Sequence, residues 1–189
     1  MCYFYVATFV FLLSFFLIEK FLRKGSKDMS SSTFDKNSTS YISIIMGIAF
    51  ILILISPILN WFHIAEISFI WIGIIGIVLG LCGIYIRCIA FFTLGKYFTR
   101  TLQKIEEHKL IKNGIYQYIR HPGYLSDILI FIGIGMTVFN WIPLIYLMIF
   151  YPIVYTYRII VEEKMLINIF GEEYLHYKKI TKRLIPFIF

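Results

Sequence analysis

ISFIWIGIIGIVLGLCGIYIRCIAFFTL, residues 67–94, reads as a helix that crosses a membrane. Crossing a hydrocarbon core of about 30 Å takes roughly 20 mostly apolar residues, and Arg87 is the one charged side chain in this run. Two further stretches meet the same test, Tyr3 to Leu22 and Tyr41 to Trp61. The stretch from Tyr124 to Val161 holds enough for two crossings, with Asn140, Trp141 and Pro143 as a hinge. Its first half starts directly after His121-Pro122, contains Asp127 and reaches the hinge in about sixteen residues, roughly 24 Å of helix. That is short for a crossing, so the fourth and fifth helices are expected to form a tight hairpin. The expected fold is all-α, a polytopic membrane protein with five transmembrane helices.

Composition agrees. Hydrophobic residues make up 59% of the 189-residue chain, and the mean hydropathy is +0.79. The first apolar run has no basic residue before it and no small-residue cleavage site after it, so it reads as a retained anchor rather than a signal peptide.

Basic residues set the expected orientation. Lys20, Arg23, Lys24, Lys27 and Lys36 follow the first helix, and Lys96, Arg100, Lys104, Lys109, Lys112 and Arg120 follow the third. Lys164, Lys178, Lys179, Lys182 and Arg183 close the chain, while the turns at Phe62 to Ile67 and at Asn140 hold no Lys or Arg. The N-terminus is expected outside and the C-terminus in the cytosol. The net charge of +7 then belongs to residues beside apolar spans, where they meet anionic lipid. Nucleic acid is not an expected partner, because no basic soluble domain exists to bind it.

The chain reads as a single membrane domain, 1–189. Residues 1–66 carry the first two helices and a polar loop from about Gly25 to Ser40, to which no chemistry is assigned. Residues 67–189 form the core. Gly73, Gly76, Gly80 and Gly83 share one face of the third helix and read as close packing within the bundle rather than as a dimer contact. Cys2, Cys82 and Cys88 show no metal or disulfide spacing and read as buried apolar thiols; no metal site is expected. Arg87 must snorkel or find a partner. For Asp127 three roles stay open: capping the fourth helix, meeting Arg87 or meeting Arg120.

Polar residues concentrate in two segments on the cytosolic side, residues 107–124 and 158–186. In the first, Asn113-Gly114 signals a turn and Pro122 biases His121 away from helical geometry. Irregular backbone beside a membrane is tolerated where it is buried in protein or lines a cavity. Aromatics, an arginine and a histidine there suit a polar cofactor with an aromatic base. In the second, Arg158 and Glu162 lie four apart on one helical face, with Glu163 about 100° away. Spacing alone fits an anchoring ion pair as well as a reaction site.

The run His108-Lys109-Leu110-Ile111, then Gly114-Ile115-Tyr116, then Arg120-His121-Pro122-Gly123-Tyr124 resembles the isoprenylcysteine carboxyl methyltransferase family. So do Glu162-Glu163, Phe170-Gly171-x-x-Tyr174-x-x-Tyr177, Arg183 and Pro186. The likeness spans about residues 94–187. The first two helices match only in hydropathy, and the chain is similar to compact prokaryotic members.

This resemblance implies S-adenosylmethionine as cofactor, in a cytosolic pocket formed by the last two helices and segments 94–124 and 158–187. It places His108, Leu110, Ile111, Gly114, Tyr116, His121, Tyr124 and Glu163 at the cofactor. It places Arg158 and Glu162 nearest methyl transfer, with Arg120 supporting the loop or neutralising a carboxylate. The implied reaction is carboxyl O-methylation of an isoprenylcysteine or related lipidic acid in the cytoplasmic membrane, with the bilayer and a lipidic or prenylated acceptor as partners. Other readings are a lipid-amine or small-thiol methyltransferase, which would need a base such as His121 or Glu162, a membrane reductase using a nicotinamide cofactor, and a non-enzymatic scaffold.

Overall fold

The computed structural model describes residues 2–23, 37–95 and 110–184, with backbone only for 2, 3, 18, 19 and 21–23. Every regular element among them is helical: α1 (Cys2–Arg23), α2 (Ser38–Trp61), α3 (Ile70–Leu94), a 3-10 turn (Gly114–Gln117), α4 (Pro122–Thr137), α5 (Trp141–Phe170) and α6 (Glu172–Ile180). His108 lies outside the described residues, as do Lys24, Lys27, Lys36, Lys96, Arg100, Lys104, Lys109 and Pro186.

Three helices are long and apolar enough to cross a membrane, namely α2, α3 and α5. The apolar stretches of α1 (Phe4–Leu17) and α4 (Pro122–Thr137) are shorter. At 16 residues, α4 is about 24 Å long, whereas the 30 residues of α5 reach about 45 Å. The last turns of α5 therefore extend past the apolar layer that its first half fills.

Glycine determines how α3 meets α4. A Cβ on Gly133 would come within 2.6 Å of Gly76 O and 2.8 Å of Gly80 N, and one on Gly76 would meet Gly133 O at 2.7 Å. The two backbones touch, which only glycine permits. Gly73 and Gly80 face Phe4 and Phe11 of α1, and Gly83 faces Ile130. The expected packing role is met inside one chain. Phe11, Phe15, Phe131, Ile134, Leu147 and Tyr151 form the centre of the core.

At one end of the bundle the α4–α5 hinge is fastened by amides. Asn140 caps α5 by accepting from Ile142 N (3.0 Å) and donates to Asn60 Oδ1 (2.8 Å) and Ile64 O (2.9 Å). Asn60 in turn donates to Tyr5 Oη and Val138 O. Ile67 was expected inside the third helix. Its N–H instead bonds Phe139 O at 2.8 Å, because residues 65–67 pair with the hinge before α3 begins. Cys82 also departs from expectation: it is exposed, and Cys88 is only partly buried. On a spanning helix the apolar surroundings of an outward thiol are lipid rather than protein. The opposite end gathers the start of α2, the end of α3, the start of α4 and the second half of α5, and every described Lys and Arg lies towards it.

Candidate functional site

The site grows from one helix start. Pro122 occupies the first turn of α4 and has no N–H to lose, while His121 before it is held at φ −125°, ψ 57°, outside helical geometry. The N–H groups of Arg120 and His121 have no helical partner there, so they pair with the chain's end. Arg120 N donates to Lys182 O (2.8 Å), His121 N to Arg183 O (3.0 Å), and Lys182 N to Tyr118 O (3.1 Å). This parallel bridge brings together two segments some sixty residues apart in sequence.

Glu163 is the hub beneath that bridge. Its Oε1 receives Arg120 at 2.9 Å, and its Oε2 lies 3.1 Å from Lys178 Nζ and 3.4 Å from Arg183 Nη2. Arg120 donates further to Lys178 O, to Thr181 Oγ1 and to Thr181 O. Glu163 was expected at the cofactor; its carboxylate is occupied by protein cations that tie α5, the loop before α4 and the tail together.

Glu162, one residue earlier, faces elsewhere. Tyr124 Oη donates to Glu162 Oε2 at 2.5 Å and accepts from Arg158 Nε at 3.2 Å. A phenol from α4 thus joins the two residues that one turn of α5 separates. Arg158 is 2% exposed, and its Nη1 donates to Ser38 Oγ and Thr39 Oγ1, both at 2.8 Å. His121 stacks on Tyr124 with ring centroids 5.6 Å apart, and its Nδ1 lies 3.9 Å from Glu162 Oε2.

One turn deeper, Arg87 Nη1 donates to Asp127 Oδ1 (2.7 Å) and Gly123 O (3.2 Å), and Tyr155 Oη donates to Asp127 Oδ2 (3.0 Å). Of the three roles left open for Asp127, the structure selects the Arg87 partner. Buried charge in an apolar layer is tolerated when so paired. Tyr155 contacts the Tyr124 ring at 5.3 Å between centroids, so this pair braces the layer above it.

Leu110 and Ile111 are half-buried, Gly114 opens the 3-10 turn at φ +59°, and Tyr116 is buried with its carbonyl accepting from Tyr177 Oη at 2.6 Å. Burial raises the Tyr116 hydroxyl well above the ordinary phenol range, and the Glu162 carboxylate adds to this. Burial, with Glu163 next, does the same for Tyr174. Both remain proton donors. Among the described residues of this site, the buried Tyr174 Oη makes no hydrogen bond, while His121 Nε2 faces Glu163 Oε1 at 3.6 Å. An orphaned buried hydroxyl of this kind fits a polar ligand. The arrangement offers a buried cation for orienting an anion, held by a phenol that is itself fixed by a carboxylate, beside neutral donors.

The sequence alone does not point to Ser38 and Thr39, which lie in a stretch given no chemistry, or to Lys178, which is read there for orientation only. Nor does it point to Thr181. No spacing signal points to any of them, because each reaches the site from a distant element.

Residues 74–168, just over half of the chain, match the family described as isoprenylcysteine carboxyl methyltransferase (ICMT) family. The protein-S-isoprenylcysteine O-methyltransferase of Saccharomyces cerevisiae is 36% identical over 117 residues, 61% of this chain and 49% of that protein. Its Xenopus laevis namesake is 34% identical over 120 residues, 62% of this chain and 42% of that protein. The match thus spans under half the length of either relative. Protein-S-isoprenylcysteine O-methyltransferase B of Arabidopsis thaliana is 30% identical over 135 residues, 67% of this chain and 68% of that protein. The solved structure of a eukaryotic intramembrane Ras methyltransferase, an isoprenylcysteine carboxyl methyltransferase, superposes with a TM-score of 0.66 at 27% identity. That superposition covers 78% of this chain and 52% of the other.

Proposed function

The chain belongs to the isoprenylcysteine carboxyl methyltransferase family, and from that membership we propose that it O-methylates the carboxylate of an isoprenylcysteine or related lipidic acid. The observation that carries this reading is Arg158, buried at 2% exposure and joined through Tyr124 Oη to Glu162. An arginine fixed on two sides is suited to orient a carboxylate.

S-adenosylmethionine, when bound, supplies a sulfonium methyl carbon open to in-line displacement. Leu110, Ile111, Gly114, Tyr116, His121 and Tyr124 would hold it, and the orphaned Tyr174 Oη would supply a polar partner. His108, which the resemblance also assigns to it, lies outside the described residues.

A carboxylate acceptor is already ionised near neutral pH, so the protein needs no strong base. Arg158 orients the acceptor, and Tyr124 keeps Arg158 and Glu162 in register. His121 and the Glu163 hub hold the segment before α4 against α5 and the tail. Arg120 and Glu163 act as positioning residues through the tail they anchor. The work is placement and exclusion of water.

The proposed topology has five crossings, an outside N-terminus and a cytosolic site. Its support is the gathering of described Lys and Arg at the end that carries Arg158. A lipid acceptor would then reach the site from the bilayer and a charged cofactor from the cytosol.

Calorimetry of S-adenosylhomocysteine with detergent-purified protein, paired with transfer to N-acetyl-S-farnesylcysteine, tests the proposal. The expected result is binding by wild type and by Arg158→Lys, with transfer lost only in the variant. Binding of a nicotinamide nucleotide in its place would move the reading to a reductase. Transfer to an amine or thiol that climbs with pH across the acceptor's pKa would move it to that acceptor class.

A further inference from the structure

Ser38 and Thr39 open α2 at 120 and 119 residues from Arg158, yet both hydroxyls accept from the same guanidinium nitrogen at 2.8 Å. Ser38 is completely buried. The opposite flank of the guanidinium is held by Tyr124, which accepts from Nε at 3.2 Å and donates to Glu162. A continuous chain of hydrogen bonds therefore links α2, Arg158, Tyr124 and Glu162, with Arg158 donating in both directions. Arginine has many rotamers, and burying it in one orientation costs side-chain entropy that such contacts offset. Contacts on two faces leave the guanidinium plane little freedom to turn.

None of the residues expected to hold the cofactor comes from α2, and the family match begins only at residue 74. The hydroxyl pair thus reaches the central arginine from outside the matched core.

We propose that Ser38 and Thr39 are positioning residues for the acceptor, fixing the Arg158 guanidinium in the orientation that receives the acceptor's carboxylate. The proposal rests on the methyltransferase reading of the site. In consequence the start of α2 sets acceptor affinity and not cofactor affinity. Neutral hydroxyls suit this role: they accept from the guanidinium and orient it without adding a charge of their own.

The experiment compares wild type, Thr39→Val, Thr39→Ser and the double variant Ser38→Ala/Thr39→Val, all purified in detergent. Valine keeps the shape of threonine and removes the hydroxyl, and serine keeps the hydroxyl. Calorimetry reads S-adenosylhomocysteine affinity, and transfer to N-acetyl-S-farnesylcysteine reads KM and kcat separately. The double variant is expected to raise the acceptor KM about tenfold or more and leave the Kd for S-adenosylhomocysteine within about twofold, with Thr39→Ser close to wild type. An unchanged KM in the double variant overturns the proposal, as does a Kd that rises in step with KM. Wild type that binds no S-adenosylhomocysteine, or transfers to no carboxylate, overturns the methyltransferase reading and this inference with it. Wild-type transfer with an indifferent double variant overturns this inference alone.

Discussion

Arg120 and Glu163 stand 43 residues apart in sequence and meet at 2.9 Å, with side chains 5% and 3% exposed. Because Arg120 also binds Thr181 and the Lys178 carbonyl, this one pair fastens the loop before α4 to α5 and to the tail that follows α6. Charge placed this deep is tolerated only in company.

Removing one partner should therefore cost more than replacing it. Glu163→Ala leaves Arg120 buried without its carboxylate, and the expected loss is about 3–5 kcal/mol. Glu163→Gln keeps hydrogen-bonding capacity and should lose less. Thermal unfolding in detergent reads both, and an Ala variant as stable as the Gln variant would contradict the hub role.

Tyr124→Phe removes only the hydroxyl between Arg158 and Glu162. The ring contacts with His121 and Tyr155 survive, so the fold should persist. Loss of one orienting donor in a water-poor site is expected to lower kcat/KM about 10- to 100-fold. Steady-state kinetics on folded variant protein checks this; activity within twofold of wild type would show that the bridge is dispensable.

The α3–α4 crossing gives a steric test. Gly133→Val places a side chain against the Gly76 carbonyl, where even a Cβ would sit at 2.6 Å, and backbone cannot yield as a flexible side chain can. Gly47→Ala meets nothing within 4 Å and serves as control. The valine variant should fail to yield monodisperse protein on size-exclusion chromatography, and the alanine variant should elute as wild type does.

Topology can be read by chemical labelling after replacing Cys2, Cys82 and Cys88. A cysteine at His63, exposed at the hinge end, should react with a membrane-impermeant maleimide applied outside intact cells. One at Lys112, which pairs with Glu173 at 2.7 Å on the other end, should react only after permeabilisation. The reverse pattern would invert the proposed orientation.

Much of the membrane architecture was legible because lipid imposes length. A run such as residues 67–94 has little choice of structure, and the short fourth helix followed from the distance between Pro122 and Asn140. The glycine face of α3 was legible too, since spacing of three and four fixes a face, though its partner Gly133 was not. Ile67 escaped because a backbone pairing to Phe139 is set by the hinge, not by the local pattern.

For the site, the sequence by itself determined which residue types stand at a helix start beside the membrane. His121-Pro122 breaks the helix, and Arg158 and Glu162 share a face, whatever the surroundings. Only the tertiary structure decided who partners whom. Adjacent Glu162 and Glu163 differ by one helical step, which turns one carboxylate toward Tyr124 and the other into a cage of Arg120, Lys178 and Arg183. Ser38 and Thr39 carry no local signal of chemistry; they acquire it because α2 delivers them to a buried guanidinium. Local geometry depends on neighbours in sequence, whereas the pairing of a buried charge depends on whichever elements packing brings within about 3 Å of it.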